Sequence, residues 1–231
     1  MRLTILKGLT TLVLVISHHF LFAQKSQEEY VAYFDSLLGV EHLGLIAGFD
    51  YKPPPYSRNS HPFYNTKNWV TGNIEVNGFK YYNVLLKYDL VKQEVILKKV
   101  ANGLEYPVTV KFDRLNGFLI GSSEFSMIAP KEGNKFLAIE HFNGQKFSLY
   151  EVFSKSGEID HYTKVYQYKL DRELLLSVDN ILHPYTGKKT IKQFTPTIKK
   201  ELKQYIKSNK LNLRDENTSE IVKLLGYVES L

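Results

Sequence analysis

The sequence predicts a mainly β protein of the α+β class, a curled antiparallel meander or open β-barrel of about nine strands. One N-terminal helix and two C-terminal helices complete the predicted fold. Apolar and polar residues alternate between Trp69 and about Phe194. Turn-forming residues recur there every ~10–17 residues, the spacing of an up-and-down meander. Apolar residues at helical spacing on either side of this region predict the helices.

The composition is that of a globular chain. It has 231 residues, of which 43% are hydrophobic, a formal net charge of +6 and no cysteine. The apolar content excludes a disordered tail. The lack of cysteine excludes a disulfide scaffold, a thiolate-ligated metal and a thiol nucleophile.

Residues 1–23 have the pattern of a secretory signal peptide. Arg2 and Lys7 precede an apolar run from Leu9 to Ile16, and Ala23 stands at the expected cleavage point. The run is shorter than the roughly 20 apolar residues that span a bilayer, which favours a cleaved signal over an uncleaved anchor. We therefore expect an exported chain of the periplasm, the cell envelope or the extracellular space, and not an integral membrane protein.

Residues 24–68 are predicted to form a helix followed by a proline- and aromatic-rich wrap. Ser26 and Glu29 have the spacing of a capping box. The apolar residues that follow share one helical face: Tyr30, Tyr33, Phe34, Leu37 and Leu38. Pro53-Pro54-Pro55 favours polyproline II geometry and forbids helix. We expect the aromatic residues up to Asn68 to pin this segment to the domain, with an interaction loop as the alternative.

Residues 69–194 are predicted to form the antiparallel β body. Asn-Gly favours type I′ hairpin turns, because both central positions need a positive φ, and it occurs at Asn77-Gly78, Asn102-Gly103, Asn116-Gly117 and Asn143-Gly144. Further turns are predicted at Val91–Gln93, Lys131–Asn134, Lys155–Gly157, Asp171–Glu173 and Tyr185–Lys188. Apolar residues alternate between the turns, as in the predicted strand Tyr162–Leu170.

Residues 195–231 are predicted to form a helical pair that packs on the body. Thr195 has the character of an N-cap, with Pro196 at the first helical position, and the stripe that follows consists of Ile198, Leu202, Tyr205 and Ile206. Asn209-Lys210 ends this helix. The second helix begins near Asp215–Thr218 and carries the apolar residues Ile221, Leu224, Leu225 and Val228.

Four segments of the chain are distinctive when taken together: Asn83–Leu90, Phe142–Lys146, Lys199–Leu211 and Val222–Leu231. They resemble an uncharacterised family of secreted Bacteroidota proteins with a β-rich body and a Lys-rich helical C-terminal tail. The resemblance covers roughly residues 60–231. It implies an exported β protein, and it implies no activity and no catalytic residue.

No spacing of reactive residues identifies an active site. The histidines after residue 23 lack metal-ligand spacing, so neither a metal nor a cofactor is predicted: His42, His61, His141, His161 and His183. Glu140-His141 and Asp160-His161 are not expected to form dyads, because adjacent strand residues point to opposite faces. Ser122-Ser123-Glu124 lacks the nucleophile-elbow pattern. Several carboxylates would form an acid/base pair only by converging in the fold: Glu75, Glu94, Glu105, Asp113, Glu140 and Glu151.

The positive charge is concentrated in the tail. Residues 188–214 contain nine basic residues and one acidic residue, whereas residues 24–187 have a net charge of −1. At helical spacing, four lysines form a basic ridge, Lys199, Lys203, Lys207 and Lys210. This ridge is the candidate binding site for an anionic surface, such as lipid head groups or acidic polysaccharide. A solvated helix face is the alternative, and no nucleic-acid-binding motif is present.

These patterns favour a non-enzymatic binding or interaction protein of the periplasm or cell envelope over an enzyme. Two alternatives stay open. The first is a carrier that holds an apolar small molecule in the curled sheet. The second is a hydrolase of envelope glycans or lipids that uses the dispersed carboxylates.

Overall fold

The computed structural model describes residues 50–57, 59–101, 103–162 and 165–231. The predicted signal peptide and N-terminal helix lie outside the described residues. The strands are β1 (Val70–Val76), β2 (Phe79–Asp89), β3 (Glu94–Ala101), β4 (Leu104–Thr109), β5 (Leu115–Ile120), β6 (Ser123–Ile128), β7 (Phe136–Asn143), β8 (Phe147–Ile159), β9 (Tyr166–Val178) and β10 (Ile181–Pro184). The helices are α1 (Lys188–Phe194), α2 (Lys199–Ser208) and α3 (Thr218–Glu229).

The ten strands form one open antiparallel sheet, which confirms the predicted fold class. Their order is β10-β9-β8-β7-β6-β5-β1-β2-β3-β4, so the sheet is not closed. It curls far enough for β8 to reach the turn after β2. There the Lys155 N–H donates to the Leu90 carbonyl at 3.0 Å, and Gln93 Nε2 donates to the Phe153 carbonyl at 3.1 Å.

One of the four Asn-Gly pairs, Asn77-Gly78, forms the predicted type I′ turn. Only Gly103 of the second pair is described, and neither Asn143 nor Gly144 has the positive φ that such a turn requires. Asn77 and Gly78 have φ values of 52° and 78° in the β1–β2 turn, as a type I′ turn requires. Gly103 has a φ of 73° between β3 and β4. Asn143 ends β7, and three residues, Gly144 to Lys146, connect it to β8.

The predicted turn at Asn116-Gly117 is wrong, because both residues lie inside β5. Glycine is required at position 117 because the backbones of β5 and β6 approach closely there, and not because the chain turns. A Cβ at Gly117 would lie 2.6 Å from the carbonyl oxygen of Phe125 on β6. Asn116 accepts a hydrogen bond from the Gly78 N–H at 2.8 Å. The pair therefore supports a neighbouring hairpin turn instead of forming one.

The predicted turns at Lys155–Gly157 and Asp171–Glu173 are also wrong. Both segments lie within β8 and β9, which pair along their whole length of 13 residues each. The exposed end of this hairpin has the polar composition of a turn, which explains the error. The chain reverses after Ile159, and Tyr162, predicted to be in a strand, is 98% exposed in the connection.

A tenth strand follows a turn at Asp179 and Asn180, which the sequence pattern did not predict. Asp179 and Asn180 have positive φ values of 52° and 65°, a conformation that Asn and Asp tolerate better than other residues with a Cβ. The short β10 that follows pairs with β9. The turns predicted at Val91–Gln93, Lys131–Asn134 and Tyr185–Lys188 are confirmed as connections between elements.

The C-terminal region has three helices instead of two. Thr195, predicted to begin a helix, ends α1, and its hydroxyl donates to the Ile191 carbonyl at 2.8 Å. The next helix, α2, begins at Lys199 and ends before Asn209, as predicted for its C-terminus. In α3 the four predicted apolar residues are buried: Ile221, Leu224, Leu225 and Val228.

Two main hydrophobic clusters stabilise the two halves of the sheet. The first, called the curl core, fills the concave face formed by β1, β2, β3, β5 and β6 and includes Leu86, Phe118 and Phe125. The second, called the helix core, lies between β8, β9 and the helices and includes Leu149, Leu176 and Leu224. Along the described part of the chain, no helix combines the length and the apolar character needed to cross a bilayer.

The proline- and aromatic-rich segment packs against the turn that follows β2. Asp89, which is fully buried, accepts hydrogen bonds from the Tyr51 hydroxyl at 2.6 Å and from the Val91 and Lys92 N–H groups. The ammonium group of Lys155 donates to the carbonyls of His61 and Phe63, at 2.9 and 2.7 Å. These bonds fix Tyr51, His61 and Phe63 to strands that are distant in sequence.

Candidate functional site

The basic ridge predicted from the sequence lies on the surface. Lys199, Lys203 and Lys207 are exposed on α2, and Lys210 is exposed directly after it. Leu202 is fully buried in the same helix. The apolar side of α2 therefore faces the helix core, and its basic side faces solvent.

The packing of α2 fixes the orientation of the ridge. Ile198, Tyr205 and Ile206 pack against the helix core. The rings of Tyr205 and Tyr227 stack with their centroids 3.8 Å apart and their planes at 4°. Since α2 is held along one side, the lysines project together from the other side.

The ridge lysines are accessible to an external partner. Among the described residues, none of the four forms an ion pair. A pocket of about 350 Å³ lies beside α2, and Lys188 and Arg214 contribute positive charge to its lining. Ile206 and Leu211 supply apolar surface to the same pocket.

A second group of polar residues lies on the sheet, around a β-bulge in β7. Glu140 pairs with Tyr150 and Phe142 pairs with Leu149, so His141 is the extra residue. A hydrogen bond of 2.6 Å joins its Nε2 to Oε2 of Glu151. Arg172 Nε donates to the other oxygen of this carboxylate.

Glu151 is the centre of this network. It is only 6% exposed, and on β8 it lies between Leu149 of the helix core and Phe153 of the curl core. Burial raises the pKa of Glu151, but the hydrogen bonds from His141 and Arg172 lower it by more, so its pKa lies below the ordinary value. The carboxylate is therefore ionised at neutral pH.

Arg172 connects this network to the helical tail. Its terminal nitrogens donate to the Asp215 carbonyl and to the Thr218 hydroxyl, both at 3.2 Å. Thr218 is the first residue of α3. The network of His141, Glu151 and Arg172 thus joins three strands to the start of the last helix.

The fold brings several of the sequence candidates into one groove of about 520 Å³, lined by Ser122, Ser123, Glu124, Ser126, Ile139, Glu140 and His141. Glu140 and His141 both border this groove and form no dyad with each other, because the His141 imidazole bonds to Glu151 on the core side of β8 while Glu140 pairs with Tyr150. A bulge is not visible in the alternation of a single strand, so sequence spacing did not select these residues.

The described residues do not contain three His, Asp or Glu side chains placed to hold a metal ion. The imidazole ring of His183 packs against the ring of Phe194. The pKa of His61 lies below its ordinary value, because the side chain is partly buried and the charge of Lys155 is nearby.

Comparisons with known proteins identify no relative. No protein-family model, curated protein or solved structure matches the chain.

Proposed function

We propose that the protein is an exported, non-enzymatic binding protein of the periplasm or cell envelope that attaches to anionic lipid head groups through the basic ridge. One observation carries this proposal. Lys199, Lys203, Lys207 and Lys210 are exposed on one helix and its end, while the opposite side of that helix is buried in the helix core. The predicted signal peptide is the reason for proposing export.

The physical basis is electrostatic attraction at short range. A lysine near an anionic membrane surface contributes about 1 kcal/mol, and the attraction decays within a Debye length. The ridge adds four such charges on a rigid support. Residues 24–187 are near neutral, with a net charge of −1, and therefore add little competing attraction or repulsion.

The ridge is tested by changing Lys199, Lys203 and Lys207 to Gln and measuring co-sedimentation with phosphatidylglycerol-containing vesicles. The loss of three charges is expected to weaken binding roughly a hundred-fold. The melting temperature is expected to stay within a few degrees, because all three side chains are exposed.

A matched control removes the same number of positive charges from another part of the surface. Lys131, Lys135 and Lys169 are exposed on the sheet and its connections, and their change to Gln is expected to leave vesicle binding within a few-fold. An equal loss of vesicle binding in both triple variants would contradict a specific role of the ridge, since any three lysines would then contribute equally. Binding of the unmodified protein to a soluble acidic polysaccharide, without binding to vesicles, would contradict the choice of lipid.

The alternative of an apolar-ligand carrier receives less support from the packing of the curl core. The rings of Tyr64, Tyr88, Phe118, Phe125 and Phe153 contact one another across the concave face, with Phe118 and Phe125 stacked at 4.9 Å. Side chains therefore occupy the space where such a ligand would lie.

A further inference from the structure

A polar trough crosses five neighbouring strands of the sheet. It runs over the face opposite the curl core from β2 to β6 and continues into the opening between β6 and β7, where Ile139 and His141 line it from the side of the curl core. It consists of two depressions. One has a volume of about 270 Å³ over β2, β1, β5 and β6, and the other is the groove of about 520 Å³ between β6 and β7. Glu124 and Ser126 line both depressions, so the two meet on β6.

The second depression exists because β6 and β7 separate. They pair only at three positions, from Ser126–Ala138 to Ile128–Phe136. Beyond Ser126, the start of β6 and the bulged end of β7 lie apart, which opens the sheet between them. The backbone groups freed there need partners, and a polar ligand or water supplies them.

The first depression exists because Gly117 has no side chain. Gly117 pairs with Glu75 on one side and with Ser126 on the other. Because a Cβ here would meet the carbonyl oxygen of Phe125 at 2.6 Å, no side chain rises from this position in the row of outward-facing residues. Tyr82 and Asn73 form the next part of the lining.

Hydrogen-bonding groups that are not engaged within the protein line the trough. Asn73 and Asn116 each accept one backbone hydrogen bond through Oδ1. Those bonds hold the amide groups in place, and no described residue accepts from their NH₂ groups. The carboxylates of Glu75, Glu124 and Glu140 likewise have no hydrogen-bond or ion-pair partner among the described residues. The trough therefore presents fixed donors and acceptors together.

The charge of the trough selects against anionic ligands. Three carboxylates stand against the single ammonium group of Lys80, so an approaching polyanion is repelled. The phenol ring of Tyr82 offers a flat apolar surface beside the polar groups. Hydroxyl-rich rings match this combination, since each hydroxyl both donates and accepts while the ring face packs on an aromatic side chain.

We infer that this trough binds a neutral polysaccharide strand laid across β2, β1, β5, β6 and β7. Five strands at ~4.8 Å spacing give a path of about 19 Å, long enough for an extended oligomer and longer than a single small molecule needs. This site is separate from the basic ridge. The proposed role in the cell envelope would then include two binding partners, an anionic lipid surface at the ridge and an uncharged polysaccharide at the trough.

The test is affinity electrophoresis of the full chain in native gels that contain dextran, mannan or laminarin, with polygalacturonate as the anionic comparison. Retardation by at least one neutral polymer is expected. Any retardation by polygalacturonate, which the basic ridge can bind, is expected to be unaffected by Glu124→Ala. Glu124→Ala is expected to weaken the interaction with the neutral polymer roughly ten-fold or more, since it removes a charged hydrogen-bond acceptor shared by both depressions.

Glu132→Ala is the matched control, because Glu132 is exposed in the connection between β6 and β7 and does not line the trough. It is expected to behave as the unmodified protein, and both variants are checked for an unchanged urea midpoint. Migration unaffected by every neutral polymer would overturn the inference. So would equal behaviour of the Glu124 and Glu132 variants, or retardation by polygalacturonate alone.

Discussion

At the residue scale, Asp89 is the clearest case of a buried charge with an assigned structural role. It has no exposed surface, and its carboxylate accepts three hydrogen bonds from Tyr51, Val91 and Lys92. A buried carboxylate is tolerated only when its hydrogen bonds are made. Asp89 therefore holds both the turn after β2 and the segment that contains Tyr51.

Replacing Asp89 with Ala is expected to lower the free energy of unfolding by about 2 to 4 kcal/mol, because three donors lose their acceptor in a buried place. Asp89→Asn is expected to cost less, because its carbonyl oxygen keeps the two backbone bonds and its amide can donate to the Tyr51 hydroxyl. Urea unfolding at neutral pH measures both values. An alanine variant as stable as the asparagine variant would contradict this role.

Glu151 makes part of the stability pH-dependent. Its pKa in the folded state lies below the ordinary value of 4.5, so near this pH the unfolded chain binds more protons than the folded chain. The stabilisation is then fully present above the ordinary pKa and is lost as the pH falls through the folded pKa.

The expected result is a difference in unfolding free energy between the unmodified protein and Glu151→Gln that is largest near neutral pH and shrinks as the pH falls through and below the ordinary pKa of 4.5. Urea titrations across this range measure it. Glu132→Gln, an exposed carboxyl change, supplies the baseline for general titration. A difference that grows towards low pH would have the wrong sign for this account.

At the element scale, α3 is held by the apolar side predicted from its sequence. Leu224 has no exposed surface and lies in the helix core. Leu224→Ala is expected to lower the free energy of unfolding by about 2 to 5 kcal/mol. Lys223→Ala, at the exposed neighbouring position, is expected to change it by less than about 0.5 kcal/mol. Chemical denaturation compares the two, and similar losses would argue against the observed packing of α3.

Local signals predicted most of the elements and failed where distant strands decide the conformation. Asn77-Gly78 forms the expected hairpin turn, because its φ values depend only on the two residues. Asn116-Gly117 carries the same signal, yet β1 and β6 pair with it on both sides. Thr195 is a good N-cap residue that instead ends a helix, because α1 precedes it. Propensity is overridden in both places by tertiary contacts.

At the scale of the whole molecule, two hydrophobic cores pack against one sheet, and two separate polar surfaces lie on the sheet and on α2. The ridge was predictable, because helical spacing places Lys199, Lys203 and Lys207 together without knowledge of the fold. The trough was not, because it depends on the bulge at His141, on the separation of β6 from β7, and on the place of Gly117 between two partner strands. Pairing between distant strands creates these features, and no local pattern encodes it.

The central claim is that the ridge attaches the protein to an anionic lipid surface, and the most direct measurement is the partition of the unmodified chain onto vesicles as anionic lipid and salt are varied. The account predicts binding that rises steeply with the fraction of phosphatidylglycerol and is lost near 1 M salt, where the Debye length falls to about 3 Å. Equal partition onto purely zwitterionic vesicles, or binding that high salt leaves unchanged, would contradict it.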